Sequence, residues 1–513
     1  MISRRSLLHA ISLSSVAVSS WGGRFSVAHG QQPDRFPNPL NIPELLEGSQ
    51  RDGAVEFRLR LQDQSTEFFP GVTTPTWGIN GSYLGPTLRL RNNDAVSILV
   101  ENSLPEHSTL HWHGLHVPAI CDGGPHQVVA PGRVWNPQFT VRQQASTYWY
   151  HSHVLDRTGP QVYQGLAGML IVDDEASSGL DIPSDYGVDD IPIIIQDKNF
   201  NTDGTFRYID QYDDLITGVQ GDTILVNGTT WPHLTVRTER IRLRLLNAAN
   251  GRTFFLAFTD GRPFQMIASD GGFLGSPIEM RNLSLAPGER AEIIVDCSDR
   301  QPVNLISQAR ISDYPEYQGA MSSILRRMNT QGFEILALRP DTDLAPSPLI
   351  PSALVSAANL DPDQAVRTRR FLLSMGFGMR SGDNRGPGSG QRNGLGGGYG
   401  GGNYSINGRR MVMDYINETV PLGDVEIWEL ANNSPMTHPF HVHNVQFQIL
   451  DRNGSPPPPE ERGLKDTVKV ASGETVRILL QFQFYSDPEN PYMYHCHILE
   501  HEDRGMMGQF LVV

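Results

Sequence analysis

Histidines two residues apart occur four times in this chain: His111 and His113, His151 and His153, His441 and His443, His495 and His497. In an extended strand side chains alternate between faces, so residues i and i+2 point the same way and two imidazoles can clamp metal together. With 16 histidines in 513 residues, composition alone would place about half of one such pair. Four pairs therefore mark a metal-binding chain. The last pair brackets a cysteine, and His438, Cys496 and His501, with Met506 as a weak axial neighbour, make the His2Cys plus Met set of copper electron-transfer sites. Cys496 ends a strand, His501 follows five residues later and Met506 five after that, so one loop can bring all three to one ion. Met507 competes for the axial place, and methionine is also a common filler of core gaps. Zinc would satisfy any single pair, but it takes four ligands and keeps one oxidation state, which does not account for twelve ligands arranged this way.

The elements that must hold these residues are strands. Glycine (50) and proline (36) are frequent, and short apolar runs are separated by turn signals, as in RIRLRLLNAANG at 240–251 and ETVRILLQFQF at 474–484. That pattern predicts β-sandwiches. The length predicts two to four domains. Residues 45–180 carry two histidine pairs, 185–340 carry only His233 and no ligand pattern, and 365–513 carry the other two pairs, after the linker APSPLIPSALV. The cluster is thus predicted between the first and third domains, a common place for a cofactor. On the last strand Cys496 points to one side, while His495 and His497 point to the other.

The formal charge is −15 and no basic patch stands out, which excludes nucleic acid and anionic membrane surfaces as partners and suits neutral or cationic substrates. The N-terminus reads Ser3-Arg4-Arg5-Ser6-Leu7-Leu8, then a modest apolar run to Val18, then Ser26-Val27-Ala28, the pattern of a twin-arginine export signal over residues 1–28. Its removal takes away three arginines and no acid, moving the charge from −15 to −18. No later segment has the ~18 apolar residues a membrane span needs, so stable membrane insertion is not expected. Cys121 and Cys297 can pair in an oxidising compartment or stay separate thiols. Between 376 and 402, 13 of 27 residues are glycine, a composition that builds no core and reads as a surface insertion or a lid.

HWHG at 111–114, YHSH at 150–153, HPFHVH at 438–443 and HCHILEHEDRGMM at 495–507 together resemble the four copper-binding segments of the multicopper oxidases. GPTLRL at 85–90, GLAGMLIVDD at 165–174, MIASDGG at 266–272, LAPGERAEIIVD at 285–296 and KDTVKV at 465–470 extend the resemblance over nearly the whole chain after the leader. The subgroup it looks most like is the bacterial periplasmic one, with laccases and the cuprous oxidases of copper detoxification. The resemblance implies an all-β chain of three cupredoxin-like Greek-key sandwiches, extracytoplasmic, with four copper ions. It implies a type 1 ion at His438, Cys496, His501 and Met506, and a type 2 ion at His111 and His441. It assigns one type 3 ion to His113, His151 and His497, and the other to His153, His443 and His495. Dioxygen needs four electrons to become water whereas a phenol or cuprous ion gives one at a time, so an electron-accepting site and a cluster that holds dioxygen answer that mismatch.

Asp122 and Glu502 match the acids that deliver protons in the resembling enzymes; Asp122 also reads as a turn residue before Gly123-Gly124. His107, His116, His126 and His233 have no partner spacing and read as ordinary polar residues. Ser434 stands where the resembling cuprous oxidases have an acid, and near the glycine-rich segment only Met375, Met379, Met411 and Met413 occur, whereas those enzymes have a Met-rich insertion. The expected activity is laccase-like oxidation of phenols or aromatic amines. A cuprous oxidase of copper homeostasis is the second reading, and a structural relative without copper, acting in cell division, is the third. No histidine is missing from the ligand set, which argues against the third.

Overall fold

Period-two patterning decides how the strands pack. In Ala95–Asn102 every second residue is buried, placing Val96, Ile98 and Val100 in one core. In Arg240–Asn247, Ile241, Leu243 and Leu245 enter another. The structure is a computed structural model that describes residues 35–310, 330–355, 360–376 and 403–513. The expected leader at 1–28 and residues 377–402 of the glycine-rich segment lie outside the described residues.

Among the described residues six sheets pair face to face as three cupredoxin-like sandwiches. In the first, a sheet built on Ala54–Phe69 and Ala95–Asn102 packs on one containing His111–His113, Ser146–His151 and Ala167–Asp173. The second faces a seven-stranded sheet, with Arg240–Asn247 and Arg290–Asp296 side by side, against one holding Phe254–Phe258 and Val303–Ser307. The third faces Arg367–Gly376, Val425–Asn432 and Thr475–Gln481 against His438–Val442, Asp487–Cys496 and Met507–Val512.

Both faces of Arg240–Asn247 are buried. Alternation alone would leave its arginines in water, yet Arg242 and Arg244 are 5% and 2% exposed. They meet Glu292 and Asp190 of their own sheet, and Arg244 Nη1 also donates to Thr147 Oγ1 of the first sandwich at 3.1 Å. Buried charges persist only when paired in this way. Cys121 and Cys297 sit in the first and second cores as separate thiols. Among the described residues no helix is long and apolar enough to cross a membrane.

Candidate metal centre

Strand register assembles the histidine pairs. His111 lies opposite His151 across one antiparallel pairing, and His441 opposite His495 across another. On the second of these sheets Phe440 is opposite Cys496, so Cys496 faces inward among Phe440, Tyr494 and Met506. His441, His443, His495 and His497 occupy the outward face, which meets the outward histidines of the first sandwich. Rings from the two domains then touch: His111 stacks on His443 with centroids 3.9 Å apart, and His113 on His441 at 3.7 Å.

All eight rings are buried. One ring nitrogen of most is tied to protein, which fixes where the other's lone pair points. His111 Nδ1 donates to the Asp122 carbonyl at 2.8 Å, His441 Nδ1 to the Asp466 carbonyl at 2.8 Å, His443 Nδ1 to Asp122 Oδ2 at 2.8 Å and His151 Nδ1 to the Ser152 carbonyl at 2.8 Å. His495 Nδ1 faces the Cys496 carbonyl at 3.1 Å, and the Glu502 carboxyl stands beside two rings, with Oε1 3.3 Å from His153 Nδ1 and Oε2 3.2 Å from His495 Nδ1. His113 is turned round: its Nε2 faces Asp466 Oδ1 at 3.0 Å, leaving Nδ1 pointing inward, 3.4 Å from His151 Nε2. The inward atoms of His111, His441 and His443 fall within 4.8 Å of one another, as do those of His153, His443 and His495 and those of His111, His113 and His151. His497 lies 5.0 Å from His113 and 5.4 Å from His151 by ring centroids.

The residues fit a metal. The Nε2 atoms of His111, His441 and His443 and both ring nitrogens of His497 are buried with no hydrogen-bond partner, a costly arrangement unless an ion takes the lone pairs. Burial, reinforced by neighbouring rings, holds His111, His443 and His497 well below the usual histidine pKa, so they are neutral donors.

The second cluster lies inside the third sandwich. His438 Nδ1 is 3.3 Å and His501 Nδ1 3.6 Å from Cys496 Sγ, and the two nitrogens are 3.3 Å apart. Their far nitrogens are spoken for: His438 Nε2 lies 2.7 Å from Ser434 Oγ, and His501 Nε2 donates to the Ile216 carbonyl of the second domain at 2.9 Å. Tyr404 stacks on the His501 ring at 4.6 Å. Burial pushes the Cys496 thiol up, so a metal must displace its proton to bind sulfur. Met506 is fully buried in the same core as Cys496, whereas Met507 pairs across from His495 on the other side of the strand.

Asp122 closes the short turn Ala119–Cys121 ahead of Gly123 and is buried. Its carboxyl is buried against His443, and burial raises its pKa well above the usual carboxylate range. His107, His116, His126 and His233 join none of the candidate ligand groups. Asp466 and Arg290 carry no assignment from sequence, although both fall within motifs that resemble the family. A charge at the start of, or just before, a strand that is otherwise apolar is the signal that could have marked them.

Three family models described as multicopper oxidase match residues 60–177, 191–326 and 388–513. The chain belongs to the multicopper oxidases. Multicopper oxidase mco of Staphylococcus haemolyticus is 35% identical over 480 residues, covering 93% of this chain and 92% of that one. Cell division protein FtsP of Escherichia coli is 38% identical over 493 residues, covering 94% of each chain. Among solved structures, the laccase-like multicopper oxidase CueO from Ochrobactrum sp., described with oxidase activity towards lignin model compounds, superposes with a TM-score of 0.79 at 33% identity, covering 93% of this chain and 100% of that one. As a multicopper oxidase the chain binds copper and uses dioxygen as electron acceptor.

Proposed function

We propose that this oxidase is laccase-like: it takes electrons singly from phenols, aromatic amines or similar donors and passes four of them to one dioxygen, giving water. In this reading His438, Cys496 and His501, with axial Met506, hold the type 1 ion. His111 and His441 hold the type 2 ion, and the type 3 ions belong to His113, His151 and His497 and to His153, His443 and His495. Bound copper supplies the one-electron redox changes. The chain supplies the wiring, because Cys496 is bonded directly to His495 and His497, which face the opposite side of its strand. Asp122 orients the rings of His111 and His443, Glu502 lies beside those of His153 and His495, and both acids stand where a proton can be handed into a buried site. A purely structural role in division, as the FtsP name suggests for that relative, needs none of these ligands.

One observation carries the substrate reading. The group on His438 Nε2 is the buried hydroxyl of Ser434, 2.7 Å away, and a hydroxyl is a weak site for an incoming cation. The glycine-rich 376–402 adds few thioethers to attract cuprous ion. On fully copper-loaded protein, phenol and cuprous ion turnover measured side by side should give phenol oxidation without added copper. Negligible phenol oxidation until copper is supplied, with efficient cuprous turnover, would transfer the enzyme to copper homeostasis.

We place the domains at 45–180, 185–340 and 365–513. The paired Arg4 and Arg5 support twin-arginine export to the periplasm with loss of residues 1–28. Replacing both with lysine should leave the protein in the cytoplasm on fractionation.

A further inference from the structure

The second domain contributes no histidine to either cluster, yet it reaches the larger one. Arg290 starts the strand Arg290–Asp296 and is fully buried. A guanidinium has five N–H donors, and each one here has an acceptor. Nε donates to the Thr147 carbonyl of the first domain at 3.0 Å. Nη1 donates to the Gly288 carbonyl at 3.0 Å and Nη2 to the Asp270 carbonyl at 2.9 Å, both in the second domain. The remaining two form a fork on Asp466 of the third domain, at 2.7 Å to Oδ1 and 2.6 Å to Oδ2. Asp466 in turn accepts from His113 Nε2 through Oδ1 and from His441 Nδ1 through its carbonyl. One side chain thus touches all three domains and stands directly behind a residue that holds one ring from each ligand-bearing domain, His113 through its carboxylate and His441 through its main-chain carbonyl.

The turn leading into Arg290 presses on the same cluster. Gly288 has φ +83°, and a Cβ there would lie 2.8 Å from the His497 ring. Only glycine fits both the left-handed backbone and the space.

We propose that Arg290 is a positioning residue for the paired-histidine site: its fork on Asp466 sets the rotation of His113 and His441, so the second domain acts as the template against which the cluster closes. A lysine would keep the charge but lose the planar fork. The inference rests on the ligand reading above, and removing such an outer partner typically weakens metal binding about 10- to 100-fold.

The test compares Arg290→Lys and Asp466→Asn with Arg244→Lys, each loaded with copper and then titrated with a chelator. Arg244 is the control because it is an equally buried arginine of the second domain that also bonds Thr147, but its carboxylate partners Asp190 and Glu292 hold no ligand ring. Both Arg290→Lys and Asp466→Asn should release the paired-histidine copper at about 10- to 100-fold lower chelator than wild type, with an altered type 2 electron paramagnetic resonance splitting, while the blue absorbance stays. Arg244→Lys should behave as wild type in both readouts. Retention equal to wild type in both test variants, or equal losses in test and control variants, would overturn the proposal. If the wild type itself held only the blue ion, the ligand reading would fall, and the positioning role with it.

Discussion

The two clusters are built by different means. The thiol cluster is local: His438, Cys496, His501 and Met506 come from one sandwich, and Cys496 and Met506 belong to its hydrophobic core. The eight-histidine cluster is an assembly. Its rings come from two domains, and the carboxylates behind them reach far along the chain, with Asp122 and His443 separated by 321 residues and His113 and Asp466 by 353. Folding one domain brings the ligand residues of the first site together, and the second domain adds only the Ile216 carbonyl behind His501. The second site exists only when domains dock, so charge and carboxylate contacts at the docking surface become part of the metal site.

The largest expected effect separates the two directly. Cys496→Ser removes the one thiolate, so the intense blue absorption and oxidation of organic donors should both be abolished. A variant that stayed blue would break the ligand assignment. Next, Glu502→Gln and Asp122→Asn keep shape but cannot carry a proton, and reoxidation by dioxygen should slow roughly 100-fold or more while reduction of the blue site by substrate stays near normal. Single-turnover kinetics resolve the two half-reactions, and loss confined to the reductive half would sink the proton role.

A smaller effect should sharpen the contrast between local and assembled sites. In rising urea, opening between domains should cost less than unfolding the third core. Type 2 resonance should therefore fade at lower urea than the blue band, and coincident loss would show that the sites share one cooperative unit. Smallest of all, Met506→Leu removes a weak axial donor and should raise the reduction potential measured by redox titration. An unchanged potential would shift attention to Met507, against its place across from His495.

The same contrast explains what the sequence discloses. Alternation on one strand is local information, so the opposed faces of Cys496 and its flanking histidines, and the all-β sandwiches, follow from period-two spacing. Register across strands places His111 against His151 and His441 against His495, and pairwise spacing within one motif does not encode that. Asp466 and Arg290 are harder still. Their partnership joins residues 176 apart and matters only at a junction of three domains. A sandwich judged by its lack of histidine looks like a spacer, and its contribution is visible only once Arg290, Gly288 and Asp270 meet the other two domains.

Counting copper in wild type and in Cys496→Ser, both fully loaded and purified alike, tests the central claim that the two sites are distinct and together hold the full complement. The account predicts four ions per chain in the wild type and three in the variant, with the type 2 resonance intact. A variant that loses all its copper, or a wild type that holds a single ion, would contradict it.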